Sequence, residues 1–162
     1  AYLLCDHGFW RAAGKNDKLP LFILKYSEPR QNTFTLTDSP LILKQFTMGK
    51  KHYYLMRAPV GWYTAKRLAE LLGGKLAQLD KKIERKLALR YLHSFRDIRI
   101  ALGGYHKYGE WYWLDGQKIK QDLPPDRYDR KVSLNDCFAA VRNGKLCNTV
   151  EFDAFLLEIP QK

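Results

Sequence analysis

From Trp62 to Leu79 the chain reads WYTAKRLAELLGGKLAQL, and its apolar residues change rhythm partway along. Trp62, Ala65, Leu68, Ala69 and Leu72 recur at helical spacing and fall on one face of a helix. Gly73-Gly74 offers the left-handed stop that helix C-termini favour, and Lys75 to Leu79 continues as an extended apolar segment. Asp80 is placed to cap a second helix running to about His93 or Phe95. Ile83, Leu87, Tyr91 and Phe95 follow one another at steps of four and predict its buried stripe. Lys81, Lys82, Arg85, Lys86 and Arg90 project from the other side. Leu89 and Leu92 fall partly within that basic face, where packing on an N-terminal arm would account for them.

On either side of the helices the pattern becomes strand-like. Leu41 to Phe46 and His52 to Met56 predict two strands joined through Met48-Gly49-Lys50-Lys51. Ile98, Ile100 and Leu102 alternate with Arg99 and Ala101, which predicts a strand ending at Gly103-Gly104. Trp111 to Leu114 predicts another, and Asp115-Gly116 is the strongest short hairpin signal in the chain. Residues 120–135 hold no regular pattern, contain Pro124-Pro125, and reach the length of functional loops. Cys137 to Val141 and Ala154 to Ile159 predict two more strands, with a tight turn at Arg142-Asn143-Gly144-Lys145. Upstream, Leu21 to Tyr26 and Thr33 to Thr37 predict two short strands. Residues 1–45 are therefore expected to form an arm packed on a main domain of residues 46–162. Two helices followed by antiparallel strands make the fold class α+β, with the helices packed on small antiparallel sheets.

Composition narrows this picture. The 162 residues are 46% hydrophobic and 14% aromatic, enough for one real core, and no apolar run approaches a membrane span. With no initiator Met and no signal peptide, the chain reads as a piece of a longer one, whose other domains are expected partners. The net charge of +11 is local: residues 46–95 carry eleven basic against three acidic side chains, whereas residues 96–162 carry eleven against ten. Such a face attracts phosphates or sulfates. Cys5, Cys137 and Cys147 are odd in number and lack C-x-x-C spacing, which argues against a disulfide scaffold and against zinc.

In order along the chain, these landmarks resemble the C-type lectin-like domain over about residues 46–160. The opening helix with its glycine pair, Glu84 on the second helix, Ala101-Leu102-Gly103-Gly104, Trp111-Tyr112-Trp113-Leu114-Asp115-Gly116, the strand at Cys137 and Phe155-Leu156-Leu157-Glu158 each match a family signature. The departures carry as much information. Where the family pairs a first-helix cysteine with one in the last strand, this chain has Ala69 and Leu157. The place of the second bridge's partner is nearest Glu151, so a buried thiol at Cys137 is expected. Loss of the bridges suits a reducing, cytoplasmic setting, or a bacterial or phage version of the fold. The family's calcium and sugar triplets correspond to Pro124-Pro125-Asp126 and Leu146-Cys147-Asn148, which retain too few oxygen donors for a calcium site. Neither metal nor cofactor is expected.

The resemblance implies a non-enzymatic recognition module that binds a protein or a glycan without calcium. The expected surface is Tyr105, His106, Tyr108 and Trp111, then Asp126, Arg127, Tyr128 and Arg130 in the loop, with Arg142 and Asn148; Trp113 is assigned to the interior. Tyr, Trp and Arg are the residue types enriched at binding hot spots. The second function class is binding of a polyanion, nucleic acid or sulfated glycan, through Lys81, Lys82, Arg85, Lys86 and Arg90, with strong salt dependence. An enzyme is not expected. The related formylglycine-generating fold needs a paired or metal-binding cysteine set, and His7, His52, His93 and His106 are scattered without acid–base partners.

Overall fold

The computed structural model describes residues 2–6, 9–13, 41–126 and 133–161; for the first two segments and for Asn135 it describes the backbone alone. The chain divides into two compact units, Ala1–Phe34 and Thr35–Lys162. In the first unit, β1 (Tyr2–Asp6) and β2 (Phe9–Ala13) form an antiparallel hairpin. The strands expected at 21–26 and 33–37 lie outside the described residues.

The second unit runs β3 (Ile42–Met48), β4 (Lys51–Arg57), α1 (Trp62–Leu71), β5 (Lys75–Leu76), α2 (Lys82–Tyr91), β6 (Ile100–Lys107), β7 (Glu110–Trp113), β8 (Phe138–Arg142), β9 (Lys145–Thr149) and β10 (Ala154–Pro160). In place of small separate sheets there is one mixed sheet in the order β3-β4-β10-β6-β8-β9, with β5 on β10 and β7 on β6. The parallel pairing of β10 with β6 joins what would otherwise be two antiparallel halves.

Each face of this sheet carries a helix. Successive strand residues point to opposite faces, so Ala154 and Leu156 of β10 join one buried cluster while Phe155 and Leu157 join the other. The first cluster takes Ala88 and Leu92 from the α2 segment; the second takes Trp62, Ala65 and Ala69 from α1. A strand covered on both faces reads as an unbroken apolar run, which is why Phe155-Leu156-Leu157 shows no alternation. Ala69 and Leu157 are both fully buried in the second cluster, where the resemblance places a disulfide.

The α1 segment forms as its pattern predicts. Gly73 has φ +80°, Gly74 N–H donates to the Ala69 carbonyl and Gly73 N–H to that of Glu70, both at 3.0 Å. Together these two bonds make a Schellman cap. Gly74 also lies against β10, since a Cβ there would sit 2.4 Å from the Glu158 carbonyl oxygen.

Five expectations require correction. The N-cap of α2 is Lys81, not Asp80, and no side chain caps that end. The buried stripe of α2 is rotated by one residue: Ile83 is 75% exposed and Leu87 and Tyr91 are also exposed, while Ala88 and Leu92 are buried. Leu89 and Leu92 consequently pack on the domain's own core rather than needing an arm. Gly103-Gly104 does not end a strand. It lies within β6, where a Cβ on Gly103 would meet the Leu76 carbonyl at 2.7 Å and one on Gly104 the Ala139 Cβ at 2.6 Å. Finally, Trp111 and Trp113 stand two apart on β7 and share a face, so both enter the core.

Candidate functional site

The β6–β7 hairpin presents the first group of expected site residues. It turns at Tyr108-Gly109, both with positive φ (53° and 81°), a two-residue turn whose twist matches the flanking strands. The non-glycine residue in the left-handed region hid this turn from the sequence reading, which favoured Asp115-Gly116. That pair instead folds Trp113 back to Gln117, ahead of a single bridge between Tyr112 and Lys118. Tyr108 stands at the tip, 86% exposed, with Lys107 Nζ 4.7 Å from its ring centroid. His106 packs edge-on to Trp111 with ring centroids 5.1 Å apart. Trp111, expected on the surface, therefore supports the hairpin from inside the core.

Beside the hairpin, α1 and β8 close a groove of about 540 Å³ lined by Trp62, Tyr63, Lys66, Glu70, Lys75, Tyr105, His106, Leu114 and Phe138. Its wall is aromatic. Trp62 donates from Nε1 to the Leu102 carbonyl at 2.7 Å, which fixes the indole, and Phe138 stacks on it at 4.4 Å and 10°. Tyr63 stands perpendicular to that stack, edge-on to both rings, and is 73% exposed. Lys66 pairs with Glu70 at 3.3 Å and Lys75 with the buried Glu158 at 3.5 Å, so the rim offers donors and acceptors together. Sequence reasoning missed Tyr63 and Phe138. The available signal was an aromatic side chain on α1, next to Trp62 and off the buried stripe.

Asp126 and Asn148 bond within the fold. Asn148 is 1% exposed, its side-chain amide donates to the Leu123 carbonyl, and its backbone N–H donates to the Pro124 carbonyl at 2.9 Å. Asp126 N–H returns a bond to the Asn148 carbonyl at 2.9 Å, so this part of the loop lies along β9. The Asp126 carboxylate, buried in turn, accepts from the Arg142 guanidinium at 2.5 Å. Arg127, Tyr128 and Arg130 lie outside the described residues. Among the described residues, the amide of Asn148 faces a carbonyl and a guanidinium engages the Asp126 carboxylate, so both donors are already used within the fold. Among the described residues no cluster of His, Cys, Asp and Glu gathers as metal ligands would. Both thiols are buried, Cys137 Sγ lying 3.4 Å from the Ser133 carbonyl and Cys147 Sγ 3.8 Å from that of Ala140.

The remaining charges divide into engaged and exposed sets. A larger groove of about 770 Å³ contains Arg57, Asp97, Arg99, Arg142, Glu151 and Asp153, but Arg99 is tied to Glu151 at 2.6 Å and to Asp153 at 3.1 Å. Arg142, in turn, is held by Asp126. On α2, Arg85 departs from the expected basic set: it is half-buried, bonded to Gln121 and 3.3 Å from the Asp80 carbonyl. Lys81, Lys82, Lys86 and Arg90 remain exposed.

Two helices on the faces of a mixed sheet, a glycine-capped first helix and the segment Pro124 to Asp126 laid along β9 define a lectin-like architecture. The second unit has the C-type lectin-like fold. Solved structures similar to it include the mouse scavenger receptor C-type lectin carbohydrate-recognition domain, with a TM-score of 0.59 and 16% identity over 73% of this chain and 94% of that one. The cow C-type carbohydrate-recognition domain of CD23, solved in the presence of an oligosaccharide, matches with a TM-score of 0.59 and 17% identity over 73% and 94%. An SPL-1–GlcNAc complex matches with a TM-score of 0.56 and 16% identity over 70% and 90%. No model of a known protein family matches the chain, and no curated protein matches it in sequence.

Proposed function

We propose that this domain is a non-enzymatic recognition module that binds a protein or carbohydrate ligand, without calcium, along the α1–β6 groove and the hairpin tip. The observation that carries this reading is an aromatic corner in which exposed Tyr63 and half-buried Phe138 pack on the buried Trp62, in a groove that Tyr105 and His106 also line. Rigid aromatic faces flanked by paired charges suit either a sugar ring or an apolar side chain of a protein. Calcium independence rests on the engagement of Asp126 and Asn148 within the fold. Arg127, Tyr128 and Arg130 are kept as proposed ligand contacts on the strength of their residue types. Replacement of the expected bridge by Ala69 and Leu157 supports a reducing compartment and a bacterial or phage setting. A glycan array, run with calcium and with chelator on the native domain and on Tyr63→Ala, tests the proposal. Equal signals in both conditions, weakened about tenfold by Tyr63→Ala, are expected if the ligand is a glycan. Silence in both conditions moves the ligand to the protein class, whereas binding that needs calcium sinks the reading of the loop.

A further inference from the structure

The rotation of the buried stripe of α2 leaves two parallel stripes on the outer face of that helix. Ile83, Leu87 and Tyr91 form one, and Lys82, Lys86 and Arg90 the other, each at i, i+4 and i+8. Lys82, Ile83, Lys86 and Arg90 are exposed; Leu87 and Tyr91 are 37% and 40% exposed, and Tyr91 also stacks on Phe46. Ile83 at 75% is among the most exposed large hydrophobics of the described chain. None of the three cations has an ion pair with a described residue, although Lys51 and Lys81 nearby both reach Glu84. A helix that only covered the core would show solvent a polar back. This one shows half a polar back and half an apolar one.

The layout selects among occupants. A nucleic acid or sulfated chain lying on the cations would cover Ile83 with phosphate or sulfate and leave the apolar stripe unused. An anionic bilayer needs the apolar ridge to protrude furthest, with cations set back at headgroup level. Here Ile83 and Arg90, seven residues apart, point in nearly the same direction, so charge and hydrocarbon stand at one height. A surface that is cationic along one edge and aliphatic along the other is complemented by a second helix with the opposite pattern. We propose that α2 docks an acidic amphipathic helix of a protein partner, its Glu or Asp residues at i, i+4 and i+8 facing Lys82, Lys86 and Arg90 and its aliphatic stripe covering Ile83 and Leu87. This site is separate from the aromatic groove, on the other face of the sheet, and either can fail without the other.

The probe is a fluorescein-labelled synthetic helix with Glu and Leu on adjoining stripes at four-residue spacing, accompanied by a scrambled peptide of the same composition. Fluorescence anisotropy at low and at physiological salt follows binding to the native chain and to Ile83→Ser and Lys86→Glu. Both positions are exposed, so circular dichroism of the variants is expected to match the native protein. Saturable binding of the patterned peptide alone, weakened about tenfold by either substitution, supports the proposal. Equal binding of the scrambled peptide overturns it. So does the absence of peptide binding at low salt, or an Ile83→Ser variant that binds as well as the native chain. Heparin and phosphatidylcholine/phosphatidylserine vesicles are run alongside; binding to either that survives Ile83→Ser, with the peptide inert, assigns this face to polyanions or lipid instead.

Discussion

If Arg142 holds the loop through Asp126, removing both partners should cost clearly less than the sum of removing each. Their atoms approach to 2.5 Å, and the side chains are 19% and 8% exposed. At a charge separation of about 4 Å and an effective dielectric near 20, the attraction is about 4 kcal/mol. Desolvation of a nearly buried carboxylate returns part of that. The net coupling should therefore fall near 2 kcal/mol, above an exposed pair and below a fully buried one. Because both residues make further interactions, single substitutions mix several losses, and a double-mutant cycle separates the pair. Urea unfolding of the native domain, Asp126→Ala, Arg142→Ala and the double variant provides the four free energies. With a slope of about 2 kcal/mol per molar urea, the coupling alone lowers the Asp126→Ala midpoint by about 1 M, and the other lost contacts lower it further. A coupling below about 0.5 kcal/mol would show that the ion pair contributes no more than a solvated one, and the argument that a guanidinium pins this loop would fail.

Two further predictions concern the sheet. Tyr53 is fully buried and its hydroxyl has no hydrogen-bond partner among the described residues; burial first, then Glu158, Glu84 and Asp80, push its pKa well above the ordinary tyrosine range, so the phenol stays neutral. Tyr53→Phe removes an unsatisfied polar atom and should be neutral or stabilising by up to about 1 kcal/mol in urea unfolding, and a loss beyond that would reveal a partner for the hydroxyl. Burial alone would raise the Asp153 carboxyl, but hydrogen bonds from the Arg99 side chain and backbone hold it below the usual carboxylate range. A depressed folded-state pKa contributes stability that is present above the unfolded value and lost as pH falls through the folded one, so acid unfolding should steepen below about pH 4. Arg99→Gln should flatten that limb; an unchanged pH profile would count against the ion pair.

The fold was legible where one residue pattern admits one structure. Trp62, Ala65 and Ala69 with Gly73 can only be a helix with a left-handed stop, and the strand landmarks followed in order. The α2 stripe was not legible because two sets at four-residue spacing, Ile83-Leu87-Tyr91 and Glu84-Ala88-Leu92, lie one position apart. The larger apolar set lost because the sheet surface beneath admits the small Ala88 and the long Leu92, while Tyr91 is taken up by stacking on Phe46 at 4.6 Å. Gly103-Gly104 reads as a strand end by composition, yet it marks where β5 and β8 approach β6 too closely for a Cβ. The aromatic groove was half visible. Tyr105 and His106 were named as candidate contacts although their hairpin was not foreseen, whereas Tyr63 and Phe138 come from elements far apart in sequence, and only the packing of Trp62 and Tyr63 on Phe138 unites them.

The position of β10 bears on how the domain comes to be folded. This strand pairs with β4, β5 and β6 at once, and Leu156 meets Leu55 from about 100 residues away. The β3–β4 and β8–β9 hairpins can close locally, but the two halves of the sheet have no seam until β10 arrives. Closing so long a loop before its contacts repay the entropy makes for slow folding. During synthesis the edges of β4 and β6 stay open until the last strand emerges, a window in which strand exchange with another copy competes with completion of the native sheet.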